Sequence, residues 1–86
     1  MSYYTFDSES GRFPTIDLPA TGRNIERLRI AAGLSVRELQ NLLGLASAQA
    51  VYKWQRGEAL PTIDNMLILS CLFGASVEEI LVCHDD

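Results

Sequence analysis

Glycine recurs along this 86-residue chain at intervals that suit short helices, and a helix-capping residue lies near each of these glycines. Glycine just past a helix supplies the left-handed residue that closes the last turn, whereas serine or threonine at a helix start accepts a bond from a free backbone amide. The glycines are Gly22, Gly33, Gly44, Gly57 and Gly74, and the expected start residues are Thr21, Ser35, Ser47, Thr62 and Ser76. The alternation of start residues and glycines predicts an all-α fold, a compact bundle of five short helices.

Apolar residues recur at helical spacing inside these segments, which supports the same prediction. Two of the starts also have the form of capping boxes, Ser35 with Glu38 and Ser76 with Glu79. The residues expected to face the core are Ile25, Leu28, Ala32, Val36, Leu39, Leu43, Val51 and Trp54.

The fourth predicted helix, Ile63 to Phe73, is apolar on almost every side. A helix of this kind is buried all round. In so small a domain, it is either the central helix or its spare face contacts another subunit. The candidate subunit contacts are Ile68, Cys71, Leu72, Leu81 and Val82.

The chain divides into an N-terminal arm (1–20), a helical domain (21–83) and an acidic tail (84–86). In the arm, residues 3–6 and 12–16 flank a turn-rich stretch, so the arm is either flexible or hairpin-like. Pro14 would confine its strand to an edge.

The net charge of −4 argues at first against a nucleic-acid partner. The charge is unevenly distributed, however. Residues 21–57 hold six basic residues against two acidic ones, whereas residues 58–86 hold six acidic residues and no lysine or arginine. A basic middle segment between acidic ends permits binding to an anionic partner.

The second and third predicted helices are joined only by Gly44, Leu45 and Ala46. Two short helices joined by a short glycine-containing turn, with a third helix before them, form a helix-turn-helix arrangement. The second helix of such a pair fits a major groove about 12 Å wide.

From about Thr21 to Val82, the sequence resembles the lambda-repressor-like, Cro-type helix-turn-helix regulators. The resemblance rests on the ordered set Ile25-x-x-Leu28-Arg29, Gly33-Leu34-Ser35, Glu38-Leu39, Leu43-Gly44, the run from Val51 to Glu58, Leu60-Pro61, Leu67, Phe73-Gly74 and Glu79-Ile80-Leu81. It implies a sequence-specific transcriptional regulator, most simply a repressor, that inserts its third helix into double-stranded DNA as a homodimer on a palindromic site.

The resemblance also implies roles for individual side chains. Gln49, Tyr52 and Lys53 occupy the positions that face bases or the groove wall, and the glutamine amide suits adenine. The expected phosphate contacts are Arg23, Arg27, Arg37, Ser47 and Arg56.

Four features depart from the family pattern. Val36 stands where a glutamine often contacts phosphate, Gln40 stands where a small alanine is usual, and the turn at Leu45 and Ala46 is one residue longer. An arginine–glutamate pair that is frequent in the family becomes Arg29 with Gln55.

An enzyme is not expected, because the single histidine, His84, lies beside Cys83 and Asp85, and sequence neighbours do not converge like a catalytic triad. One histidine and two cysteines without paired spacing do not form a zinc site, so no metal, cofactor or small-molecule ligand is expected.

The chain has no secretory signal and no apolar run long enough to span a membrane, which favours a cytoplasmic location. The alternative function is a protein-interaction module that keeps the fold without reading DNA. The net charge, the short side chains of Ala48 and Ala50, and Val36 favour that alternative.

Overall fold

The computed structural model describes residues 13–84, in which five helices and a two-stranded ribbon form the domain. The elements are β1 (Thr15–Ile16), α1 (Leu18–Ala31), α2 (Val36–Leu43), α3 (Gln49–Gln55), α4 (Ile63–Phe73), α5 (Val77–Ile80) and β2 (Cys83–His84). The prediction of five short helices in an all-α fold is confirmed. The expected strand at residues 3–6 and the last two acidic residues lie outside the described residues.

Three of the expected helix starts are confirmed. Ser35, Thr62 and Ser76 each accept a hydrogen bond from the backbone amide three residues further on. Glu38 and Glu79 complete the two capping boxes by accepting from the backbone amides of Ser35 and Ser76, at 3.1 and 2.9 Å. Local sequence therefore defines the starts of α2, α4 and α5.

The expected start of α1 at Thr21 is wrong. Asp17 is the N-cap and accepts from the amide of Ala20 at 3.0 Å, and Pro19 lies in the first turn, where a missing N–H costs nothing. Thr21 and Gly22 lie inside the helix and are buried. The residues expected as the end of an arm therefore form the first turn of α1.

The expected cap of α3 is also wrong by one residue. Ala48 is the N-cap and makes no side-chain cap bond, while Ser47 lies just before it and accepts from the amide of Gln49 at 3.3 Å.

The core lies between all five helices. Its fully buried apolar side chains are Ile25, Leu39, Val51, Leu69 and Ile80, with Trp54 and Met66 nearly so. Most of the expected core residues lie in or against this cluster, but Ala32 is exposed because it follows the last turn of α1.

Of the two alternatives for α4, a central helix covered by its own chain is wrong, whereas contact of its spare face with another subunit stays a prediction. Met66 and Leu69 face the core, but the side chains of Ile63 and Leu67 are 81% and 56% exposed. The neighbours of α4 are mainly α5 and α1, which cover one side of it. Cys71, one of the candidate subunit contacts, is exposed as well.

Hydrogen bonds hold the C-terminal segment against α1. The hydroxyl of Thr21 accepts from the amide of Val82 at 2.9 Å, and the amide group of Asn24 donates to the carbonyls of Glu79 and Ile80 at 3.0 and 2.9 Å. The ribbon continues this contact, with Thr15 opposite His84. The ribbon therefore joins the two ends of the described chain beside the start of α1.

None of the helices within residues 13–84 combines the length and apolar character that crossing a bilayer requires.

Candidate nucleic-acid interface

The helix-turn-helix pair consists of α2, a five-residue turn and α3. Gly44 ends α2 in the left-handed conformation (φ 66°), and Leu45 then turns inward to pack against the core. The side-chain amide of Gln40 donates a long hydrogen bond, 3.4 Å, to the carbonyl of Leu45. Gln40 and the longer turn both depart from the family pattern, and this hydrogen bond joins them.

One face of α3 is exposed over its whole length. Gln49, Tyr52, Lys53 and Arg56 follow at the spacing i, i+3, i+4 and i+7, which places them on one side of a helix. Val51 and Trp54 point the other way, into the core. The structure thus brings the three expected base-reading residues, Gln49, Tyr52 and Lys53, onto a single surface without a carboxylate of α3 among them.

Close backbone contact with α1 holds the end of α3. Gly22 packs against the last turn, where a Cβ atom would lie 2.6 Å from the carbonyl oxygen of Gln55. Just beyond the helix, Gly57 has φ +75°, and a Cβ there would lie 2.7 Å from the Cα of Pro19. Backbone packing of this kind is rigid, so α3 is presented to solvent in a fixed orientation.

Arg29 of α1 forms hydrogen bonds with α3 and with the segment before α2, at the junction of these parts of the chain. Its Nε donates to the side-chain oxygen of Gln55 in α3 at 3.0 Å, and its Nη1 donates to the carbonyl of Leu34, just before α2, at 2.7 Å. The predicted pairing of Arg29 with Gln55 is therefore present.

The expected phosphate-contacting groups nearest α3 differ in their surroundings. Arg37 is exposed in the first turn of α2, and its guanidinium has no hydrogen bond or ion pair within residues 13–84. Arg56 pairs with Glu58 at the surface, and the hydrogen bond between them raises the pKa of the guanidinium and lowers the pKa of the carboxyl. Ser47 is exposed beside the start of α3.

Comparison with known proteins identifies the family. A family model described as helix-turn-helix matches residues 25–80, which include the whole of α2, α3 and α4. The chain belongs to the helix-turn-helix family. The expected lambda-repressor-like resemblance is confirmed.

Solved helix-turn-helix structures share the fold. The chain is 31% identical to the restriction-modification controller protein C.AhdI from Aeromonas hydrophila, with a TM-score of 0.64, 74% of this chain and 96% of that chain covered. The clp gene regulator ClgR from Corynebacterium glutamicum is 21% identical, with a TM-score of 0.64 and coverage of 78% and 85%. The BldD DNA-binding domain of S. venezulae is 23% identical, with a TM-score of 0.61 and coverage of 76% and 96%. Among curated protein sequences, none matches this chain.

Two expected phosphate contacts of this helix-turn-helix protein lie away from α3. Arg23 and Arg27 are on the outer face of α1, where they line a shallow depression with Glu26 and Ile30. Arg27 donates to the side-chain oxygen of Asn24 at 2.6 Å, and Asn24 in turn bonds the end of α5. Arg27 is therefore on the α5 side of α1, whereas Gly22 and Arg29 form the α3 side.

The expected subunit contacts of this helix-turn-helix protein divide into two groups. Ile68 and Cys71 are exposed on α4, but Leu72 and Leu81 are half-buried against the core of their own chain. Val82 is half-buried, with its backbone amide and carbonyl bonded to Thr21 and Asp17 in the same chain.

The sequence reasoning missed the most exposed apolar residues of α4. Ile63 and Leu67 lie one turn apart on the same side as Cys71, and the spacing i, i+4, i+8 could have identified this stripe. Within residues 13–84, no group of three or more histidine, cysteine or acidic side chains is placed to hold a metal ion.

Proposed function

We propose that this protein is a sequence-specific DNA-binding transcriptional regulator that inserts α3 into the major groove. The observation that carries the proposal is the exposed α3 surface of Gln49, Tyr52, Lys53 and Arg56. A glutamine amide reads adenine in the major groove, and the basic residues suit the phosphates beside it.

The flanking elements of the helix-turn-helix fit the same role. Arg37 in the first turn of α2 is an exposed cation without a partner in the described chain, and Ser47 precedes α3. Phosphates beside the groove would supply the partner that Arg37 lacks. The likeness to C.AhdI, a controller protein, and to the BldD DNA-binding domain supports the same function.

The proposal includes a homodimer on a palindromic site. A single module covers a small part of the groove, about 600–1,000 Å², whereas two copies reach half-sites about 34 Å apart. The exposed stripe of Ile63, Leu67 and Cys71, flanked by Ile68, is the surface that we assign to the second copy. A dimer bound across a promoter would block it, so repression is the form of regulation that we propose.

Selection of bound sequences from a random DNA pool at 50 mM salt tests the proposal. We expect enrichment of a palindrome and, for about four phosphate contacts by each copy, a log–log salt slope near −3.6 per copy, or about −7 for the bound dimer. A reporter carrying the selected site before its promoter should lose expression when the protein is present. No binding above background at low salt would refute the proposal and leave the protein-interaction module, which the exposed face of α4 also fits.

A further inference from the structure

Arg29 is a half-buried cation whose acceptors are neutral. The two groups that it contacts are the side-chain amide oxygen of Gln55 and the backbone carbonyl of Leu34, at 3.0 and 2.7 Å. No carboxylate within residues 13–84 forms an ion pair with it. The positive charge of Arg29 is therefore not neutralised at the junction between α1 and α3.

Gln55 is the residue that leaves the charge of Arg29 unpaired. It is the last residue of α3, and its side-chain oxygen lies where a glutamate oxygen would form an ion pair with the guanidinium. An ion pair between two charged groups is stronger than the bond from the cationic guanidinium to a neutral amide oxygen, so glutamate would stabilise the junction better. Glutamine gives the weaker bond and leaves α3 without any acidic residue.

We infer that Gln55 sets the affinity of this protein for DNA. Because Gln55 is neutral, the positive charge of Arg29 stays unpaired and contributes to the electrostatic potential around α3. Arg29 acts as a positioning residue: its hydrogen bonds hold α3, and its charge adds to those of Lys53 and Arg37 in attracting phosphates. The inference rests on the proposed function and adds to it a residue that faces α1 rather than the groove.

The test compares three single variants in the full chain, measured for both unfolding temperature and DNA binding across salt concentrations. Gln55→Glu should raise the unfolding temperature by about 4 °C, because the neutral acceptor becomes an anion that pairs with the guanidinium. It should also weaken DNA binding about three- to tenfold at low salt and make the log–log slope shallower by up to about 1.

Asn65→Asp is the matched control, because it makes the same amide-to-carboxylate change in the first turn of α4. It should change DNA binding by less than about twofold, since a single surface charge away from the bound phosphates is largely screened. Gln55→Met removes the acceptor without adding charge, and should lower the unfolding temperature while keeping the salt slope.

Three outcomes would overturn the inference. Equal DNA binding by wild type and Gln55→Glu, or equal weakening by Asn65→Asp, would show that the charge at this junction is irrelevant. A flattened salt slope in Gln55→Met would show that Gln55 acts through structure alone. Failure of the wild type to bind any DNA would instead refute the proposed function, and this inference with it.

Discussion

Gly22 of α1 lies directly against the carbonyl oxygen of Trp54 in α3, where no side chain fits. An ideal Cβ at this position would overlap that oxygen and lie 2.6 Å from the carbonyl oxygen of Gln55. Because both neighbours are backbone atoms, neither can rotate away. The contact makes the orientation of the helix proposed to read DNA depend on a residue of a different helix.

Replacement of Gly22 by alanine should therefore destabilise the protein by about 2 kcal/mol or more, despite the better helix propensity of alanine. Chemical denaturation gives this free energy. Gly74→Ala is the control, because Gly74 has φ +63° but open space around it, so the cost should be only about 1 kcal/mol. Equal costs at the two positions would mean that α1 can shift away from α3.

Local signals made much of the fold predictable. A capping box satisfies backbone groups within four residues, so Ser35 and Ser76 could be assigned without knowing what packs against them. Gly22 could not be assigned in this way, because its role depends on a carbonyl 32 residues away in the sequence. A glycine at a close approach and a glycine at a helix end look the same in one sequence.

The candidate site was predictable to a similar extent. The position of Gln49 and Tyr52 on an exposed helix follows from helical spacing, since Val51 and Trp54 define the buried side. The flank of α1 that carries Arg27 was not predictable, because it depends on where α5 packs. The exposure of Ile63 was not predictable either, because it depends on which helices pack against α4.

The bond between Thr21 and the C-terminal segment should contribute measurably to stability. Thr21→Val keeps the shape of the side chain but leaves the half-buried amide of Val82 without its acceptor, at a cost of about 1 kcal/mol or more. Thr15→Val is the matched control, because the hydroxyl of Thr15 is exposed and makes one long bond to His84, so its loss should cost about 0.5 kcal/mol or less. Urea denaturation of both variants measures the difference.

Gln49 should determine one base of the recognised site. Gln49→Ala should cost about 1–3 kcal/mol at one base position and relax the preference there. Arg37→Ala should instead weaken binding to all sequences alike and reduce the salt slope by about 1. Selection from random DNA with each variant distinguishes the two effects. A uniform loss with Gln49→Ala would make this residue a backbone contact.

The exposed stripe of α4 should hold two copies together. Leu67→Glu places a charge at the centre of this stripe, and the wild-type dimer should become a monomer in sedimentation equilibrium at tens of micromolar. Ile30→Glu is the control, because Ile30 is 60% exposed, similar to the 56% of Leu67, but lies on the outer face of α1. A wild type that sediments as a monomer, or a dimer lost with Ile30→Glu alone, would contradict this assignment.

The two capping boxes should make stability depend on pH in the acid range. Bonds from the backbone and side chain of Ser35 lower the pKa of Glu38 below its ordinary value of 4.5, and those of Ser76 do the same for Glu79. Because the pKa values are lower in the folded chain, the unfolded chain binds more protons as the pH falls. The stabilisation by these carboxylates is therefore fully present above the unfolded value and is lost as the pH falls through the folded values.

The variant with both Glu38→Gln and Glu79→Gln measures this contribution, since glutamine retains the capping bonds without the charge. Wild type should unfold at a higher temperature than this variant at pH 7, and the difference should shrink below about pH 4.5 and vanish once both carboxyls are protonated in the folded state. Thermal unfolding followed by circular dichroism from pH 7 to pH 2 measures it. The ion pair of Arg56 with Glu58 is present in both proteins, so its own acid loss cancels in the comparison. A difference that stays constant down to pH 2 would show that the charge of the two carboxylates does not stabilise the helix starts.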